Sequence, residues 1–205
     1  ESSQQEPFRV NFSYEDKTRF DYWKRMEFNF KQWLEIKKHC DEVELEFISS
    51  PFSIAAVELL EKLNIKKYKI GSGEVTNLLL LDKIAKTGKE IILSSGMSNL
   101  NELDNVFKFL SKYDNRISVL QCTTQYPTKP ENLGLNVISE LKKRYQVPVG
   151  LSDHSGKIYP SLAAATLGAE LLEFHAVFDR RQFGPDSKSS LEIDEISMLV
   201  EGVSY

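Results

Sequence analysis

Six short apolar runs, most closing on polar or turn-forming residues and each followed by a helix-like stretch, succeed one another along the chain. They are Leu45–Phe52, Tyr68–Glu74, Glu90–Met97, Ile117–Pro127, Val147–His154 and Leu171–Asp179. Their starts lie about 20 to 30 residues apart, the size of a strand–helix unit. The runs are nearly continuous rather than alternating, which is how parallel strands covered on both faces read. The segments between them carry apolar residues at helical spacing. Ser53 and Asn77 are placed to cap the helices that follow them, Gly88 to end one, and Ser190 to open the last. A further amphipathic helix is predicted over 26–43. Residues 1–25 show no clear period and read as an irregular arm. With no low-complexity tract or Pro- or Ser-rich linker, 1–205 reads as one domain.

A succession of βα units allows an open doubly wound sheet or a (β/α)8 barrel. The polar residues decide between them, because they collect at the carboxyl end of every predicted strand: Ser49-Ser50, Ser72 and Glu74, Ser94-Ser95, Thr123-Thr124, Ser152-Asp153-His154, Glu173 and His175. Contributions from consecutive strands suit a ring with one mouth, whereas an open sheet gathers its ligand at one switch point. The expected fold is therefore α/β, of the TIM-barrel type. A complete barrel needs eight strands and typically about 250 residues, so this chain reads as two units short.

Composition removes several function classes. Apolar residues make up 41% and charged residues 27% of the chain, a globular profile. The 26 basic against 30 acidic residues are too few for a nucleic-acid binder. No apolar stretch approaches the roughly 18 residues of a membrane helix, and the opening ESSQQEPFRV lacks a signal-peptide core. The two cysteines, Cys40 and Cys122, form no CxxC pair and suit a reducing compartment, so a cytoplasmic location is expected.

Four groups can carry chemistry. His154 and His175, at the ends of two predicted strands, can converge on a divalent metal, although isolated histidines are more often hydrogen-bonded rim residues. Lys69 stands in an otherwise apolar strand, which is costly unless its head reaches a polar mouth or an anion. With Gly71, Ser72 and Gly73 it forms a candidate phosphate or carboxylate cradle, or else a strand-ending turn with a snorkelling lysine. In DRRQFGPDS (179–187), Arg180 and Arg181 either bind an anion or face water. Asp186 there either accepts hydrogen bonds from sugar hydroxyls or caps a helix. The hydroxyls Ser50, Ser94, Thr124 and Ser152 can ring an anionic ligand or cap the helices that follow.

YKIGSGEVTNLLLLDKIAKTGKEIILSSGMS (68–98), CTTQYP (122–127), PVGLSDHS (148–155) and FGPD (183–186), in this order, resemble the N-acetylneuraminate (sialic acid) synthase family. The likeness runs from about Phe47 to Ile196, roughly three quarters of the chain. It implies a catalytic (β/α)8 barrel that condenses phosphoenolpyruvate with an N-acetylated aldose such as N-acetylmannosamine, giving a nine-carbon 2-keto acid and phosphate. It also implies a divalent metal, Mn2+ or Mg2+, and a place in surface polysaccharide biosynthesis. By the same resemblance, Lys69, Ser72, Ser94, Thr124, Ser152 and Ser50 surround phosphoenolpyruvate, and His154 and His175 hold the metal. Glu74, Tyr126 and Asp186 face the acceptor sugar, and Glu173 lies near the metal and the reacting carbons. Glu173, Lys69 and Glu74 form the implied catalytic set.

The chain departs from the family's pattern at Phe174, where Lys or Arg is usual, at Gln121 in place of His, and at Ser187 in place of His. The family's glycine- and asparagine-bearing first strand, its second strand with a lysine and a glutamine, and its C-terminal antifreeze-like domain have no counterpart in these residues. The expectation is a partial barrel that, produced alone, is weakly stable or self-associated and lacks synthase activity for want of the second-strand lysine and glutamine; restoring both strands should recover sugar-dependent phosphate release. Two alternatives to the sialic-acid reading stand beside it. One is another phosphoenolpyruvate-condensing synthase of legionaminate, pseudaminate or phosphorylated-sugar type. The other is a barrel that binds ligand or a partner, possible homo-oligomers included, without turnover.

Overall fold

The computed structural model describes residues 13–205. Along the chain run α1 (Arg19–Met26), α2 (Phe30–Glu42), α3 (Ile54–Lys62), β1 (Lys67–Ile70), α4 (Leu78–Ala85), β2 (Glu90–Ser94), α5 (Leu100–Leu110), β3 (Ile117–Cys122), α6 (Asn136–Tyr145), β4 (Val149–Asp153), α7 (Tyr159–Thr166), β5 (Leu171–Ala176), β6 (Ser190–Leu191) and α8 (Ile193–Ser204). The strands form one sheet in the order β1-β2-β3-β4-β5-β6, with every pairing parallel.

The pleat sorts the strand residues onto two faces. Tyr68, Ile70, Ile91, Leu93, Val119, Val149 and Leu151 are buried on one face, against Val57 and Leu60 of α3, Leu81 and Ile84 of α4, Leu103, Val106 and Leu110 of α5, and Ile138 and Leu141 of α6. Each such side chain contributes roughly 1.5–3 kcal/mol on leaving water, so this helix-covered face is where the core sits. The other face carries Lys69, Ile92, Ser94, Leu120, Cys122, Ser152, Glu173 and His175. Registered partners link them, with Ser94 opposite Leu120, Cys122 opposite Ser152 and Ser152 opposite Glu173. It turns from apolar to polar toward the strands' carboxyl ends.

That second face is concave. In a flat sheet β1 and β5 would lie four spacings apart, about 19 Å. Lys69 of β1 nevertheless stands 3.2 Å from Glu173 of β5, nearer than two extended side chains reach across such a gap. The sheet therefore curls with its polar face inward, as in a barrel that is not closed. Helix ends follow local chemistry. Ser53, Asn77 and Asn99 accept the backbone N–H of the third helical residue of α3, α4 and α5, and Gly88 leaves α4 at φ +72°.

Four expectations are corrected. Part of the arm, Arg19–Met26, is helical, because Thr18 caps it through the Asp21 N–H; residues 1–12 lie outside the described residues. The strand expected over Leu45–Phe52 is reduced to one bridge, Ser49 to Tyr68. Its Leu45 and Phe52 side chains are exposed, and Pro51 has no N–H to give a ladder. The last helix does not open at Ser190: Ser190–Leu191 is a strand, and Glu192 caps α8. The other runs form strands over shorter spans than expected, ending at Ile70, Ser94, Cys122, Asp153 and Ala176. No helix among the described residues is long and apolar enough to cross a membrane.

Candidate active site

The polar end of the concave face holds one connected cluster. The Lys69 ammonium donates to Ser94 Oγ at 2.7 Å and lies 3.2 Å from Glu173 Oε1. The Ser152 hydroxyl donates to the same carboxylate oxygen at 2.7 Å. Four strands, β1, β2, β4 and β5, thus place four of the expected residues together, each by its register. The side chain of Lys69 is 12% exposed and that of Glu173 39%, so the ammonium is held inward while the carboxylate reaches toward solvent. The cluster borders a cavity of about 590 Å³ lined also by Ser50 and by apolar Ile48, Ile92, Leu120 and Leu171. Lys69 is therefore neither solvent-snorkelling nor free: it is already charge-satisfied, and an incoming anion must compete with Glu173 for it.

Beside the cluster lies an aromatic group. The Tyr126 ring stacks on His154 with centroids 4.1 Å apart, and His175 lies 5.2 Å from His154 and 5.8 Å from Tyr126. His154 Nδ1 is 3.0 Å from the Thr123 carbonyl, which only accepts, so Nδ1 carries the proton and Nε2 keeps its lone pair. Nε2 then accepts from the Tyr126 hydroxyl at 3.1 Å. Burial holds the His154 pKa below its ordinary value despite the Thr123 bond, which keeps the ring neutral. Burial first, then nearby negative groups, pushes the Tyr126 phenol up to about 12, so it stays protonated and donates. Asp186 Oδ2 stands 3.9 Å from His175 Nδ1. Asp186 occupies the N-cap position of the Ser187–Ser189 turn but makes no side-chain cap bond, so its carboxylate is free to face His175.

A divalent metal fits the donor chemistry of this group. His154 presents an unprotonated Nε2 whose tautomer is already set by a carbonyl behind it, the arrangement found at histidine ligands, and His175 and Asp186 lie alongside. Among the described residues no group of three or more His, Cys, Asp or Glu side chains is drawn together tightly enough to cage an ion.

The remaining expected residues sit around the rim. Ser72 donates to Cys122 Sγ at 3.5 Å, and Thr124 donates to the Gly96 carbonyl at 3.1 Å. Glu74 stands apart from the cluster, its carboxylate accepting from Asn77 Nδ2 at 2.8 Å. Arg180 and Arg181, candidate anion binders, are committed to carboxylates: Arg181 to Asp179, with Nε 2.9 Å from either oxygen, and Arg180 to Glu195. Two residues escaped sequence reasoning. Cys122 shares a row with Ser152 and Glu173 and is buried. A Cβ on Gly96 would come within 2.7 Å of Cys122 Sγ and Thr124 Oγ1 and 2.8 Å of Ser72 Oγ, so three rim groups close over the bare backbone. The Ser94-Ser95-Gly96 that ends β2 is the available signal, since glycine just after a strand marks a close approach.

Several known proteins resemble this chain. The N,N'-diacetyllegionaminic acid synthase of Campylobacter jejuni is 39% identical over 196 residues, covering 94% of this chain and 59% of the relative. The human N-acetylneuraminate-9-phosphate synthase is 37% identical over 188 residues, covering 91% and 52%. The crystal structure of the N-acetylneuraminic acid (sialic acid) synthetase of Leptospira borgpetersenii, in complex with citrate, superposes with a TM-score of 0.86 at 31% identity, covering 88% of this chain and 64% of that one. The chain thus spans between 52% and 59% of the length of these two curated relatives. The family model matched is NeuB, over residues 1–205, and by that match and these identities the chain belongs to the NeuB family.

Proposed function

We propose that this chain carries the phosphoenolpyruvate- and metal-handling part of a sugar-acid synthase, which condenses phosphoenolpyruvate with an N-acylated aldose and releases phosphate. The observation that carries the reading is the Lys69–Ser94–Ser152–Glu173 cluster lying beside the Tyr126–His154–His175 group on one concave face. One half suits an anion and the other a metal and a polyhydroxylated acceptor.

In this reading Lys69, Ser94 and Ser152, with Ser72 and Thr124 at the rim and Ser50 across the cavity, bind the phosphate and carboxylate of phosphoenolpyruvate. Hydroxyl and ammonium donors fixed before substrate arrives need no reorganisation as charge develops. Its C3 joins the aldehyde carbon of the open-chain sugar, water adds at C2, and the C2–O bond to phosphate breaks. Glu173 is released from Lys69 as the anion takes its place, and it is then positioned to take the proton of the adding water. His154 and His175 would hold Mn2+ or Mg2+, with Asp186 nearby. When bound, such a cation supplies polarisation of the acceptor aldehyde. Tyr126, Asp186 and Glu74 orient the sugar. Because Arg180 and Arg181 are both engaged by carboxylates, this side favours an uncharged N-acyl sugar such as N-acetylmannosamine or a legionaminate- or pseudaminate-type precursor over a phosphorylated one.

The test is release of inorganic phosphate from phosphoenolpyruvate with Mn2+ or Mg2+, measured with and without N-acetylmannosamine, its phosphorylated form and related N-acylated aldoses. Sugar-dependent release is expected when the two further barrel strands are supplied together with these residues. Phosphoenolpyruvate binding with no release for any sugar would favour the non-catalytic alternative, and no binding at all would remove the anion-site reading.

A further inference from the structure

We propose that Arg180 is a positioning residue that pins the loop carrying Asp186, so that it governs acceptor binding rather than anion binding. The proposal rests on the reading of Asp186 as acceptor-facing.

The loop leaves the sheet after β5 and returns as β6, whose residues pair with His175 and Ala176. The Val177 N–H donates to the Leu191 carbonyl at 2.9 Å and closes its neck. Both ends of the loop are therefore anchored at His175, the histidine that Asp186 faces. Arg180 ties the interior. Its backbone N–H donates to Glu192 Oε1 at 2.9 Å, its Nε to the Ser190 carbonyl at 2.8 Å, and its Nη2 to the Gly156 carbonyl at 3.3 Å and to the Glu195 carboxylate. A single residue thus joins the return strand, the first turn of α8 and the turn that follows His154.

Two links run from the guanidinium to Asp186. Arg180 holds the Ser190 carbonyl, and the Ser190 hydroxyl donates to the Asp186 carbonyl at 2.8 Å. The loop also rests directly on Gly156. That residue has φ +66°, and a Cβ there would meet the Lys188 carbonyl oxygen at 2.6 Å. The contrast with Arg181 is informative. Its side chain is 91% exposed and pairs only with Asp179 of its own loop, whereas Arg180 is 26% exposed and spans three segments. A part-buried arginine that satisfies backbone carbonyls from separate segments fixes their relative placement, because each lost bond leaves a carbonyl without that partner.

The test uses Arg180→Met, which keeps the stem and removes every guanidinium bond. A second variant, Glu195→Gln, keeps an acceptor for the Glu192 N–H, and so the α8 cap, while removing the charge opposite Arg180. Backbone amide exchange is measured first. In Arg180→Met the amides of 181–189 should exchange about tenfold faster or more, with β1–β4 unchanged. In the phosphate-release assay, KM for N-acetylmannosamine should rise about five- to twentyfold while KM for phosphoenolpyruvate stays within about twofold. Glu195→Gln should move both readouts the same way by less, with melting near wild type. Unchanged exchange in the loop overturns the proposal. So does a rise in KM for phosphoenolpyruvate alone, which would make Arg180 an anion ligand, or an equal rise in both. If the wild type releases no phosphate, the functional reading fails, and the exchange measurement still decides the pin. If Arg180→Met does not fold, Glu195→Gln decides.

Discussion

At the scale of single residues, Lys69 tests the anion half of the site. A charge-assisted hydrogen bond to an anion contributes roughly 1.5–3 kcal/mol, about ten- to a hundredfold in affinity. In the free protein the ammonium already holds Ser94 and Glu173, so the net gain should fall toward the lower figure. Lys69→Met is therefore expected to weaken phosphoenolpyruvate binding about tenfold by calorimetry. Its melting temperature should barely change, since Glu173 keeps its bond from Ser152 and is part-exposed. Equal binding by the two proteins would remove Lys69 from the cradle. His175 tests the other half. Manganese titration of metal-free protein should show one site, weakened at least about tenfold by His175→Ala, as loss of one of two imidazole ligands demands; unchanged affinity would remove the metal assignment. The placement of these two residues, though not their roles, was legible in the sequence because both lie toward strand ends, where position alone aims a side chain at the mouth. Arg180 was not. Its partners Glu192 and Glu195 lie on a helix that opens beyond β6, and a two-residue strand leaves no period to read.

At the scale of elements, β1 to β5 and the helices between them were legible because each apolar run meets a helix-covered face. The run at Leu45–Phe52 looked the same and pairs at one residue only: Phe47 packs against Trp33 of α2, but Leu45, Ile48 and Phe52 have no covering layer, which the run itself does not encode. The join of β1 to α3 shows what a covered element gains. Tyr68 is fully buried, and its hydroxyl donates to Glu61 Oε1 at 2.6 Å, an oxygen that Lys89 also contacts. Burial first, then the Glu61 bond, raises the phenol's pKa above its ordinary 10.0. The sign follows. Below the unfolded value both states are protonated and the contribution is fully present. Above it the unfolded chain loses the proton first, so stability falls as pH rises. Tyr68→Phe should cost about 1–2 kcal/mol at neutral pH, and the difference from wild type should shrink above pH about 10. Urea unfolding of both proteins from pH 8 to 11 checks this; a constant difference across that range would contradict it.

At the scale of the whole molecule, curling brings β1 and β5 within side-chain reach without joining them. Leu171–Phe174 pairs with β4 on one side, and on the other side, among the described residues, β5 is paired only at His175 and Ala176, by β6. Across the opening, β1 meets a single bridge at Tyr68. Leu45, Ile48 and Phe52 there are exposed, as is Phe178 beyond β5. Two open ladder edges flanked by apolar side chains are a template for pairing with another chain. These 205 residues, produced alone, should therefore self-associate, with a weight-average mass by sedimentation that climbs above 23.5 kDa as concentration rises. The association should run through the edge and not through the site. Phe174→Lys puts a charge on the open edge; Phe174 also lines the cavity that Lys69 and Glu173 border, but the pleat turns its side chain to the opposite side of β5 from Glu173, so the Lys69–Glu173 contact is kept. That variant should lower the mass toward monomer while phosphoenolpyruvate binding persists. A wild-type chain that stays monomeric into the hundreds of micromolar would mean that the edges are blunted by the sheet's own curl, and that nothing further is needed to close them.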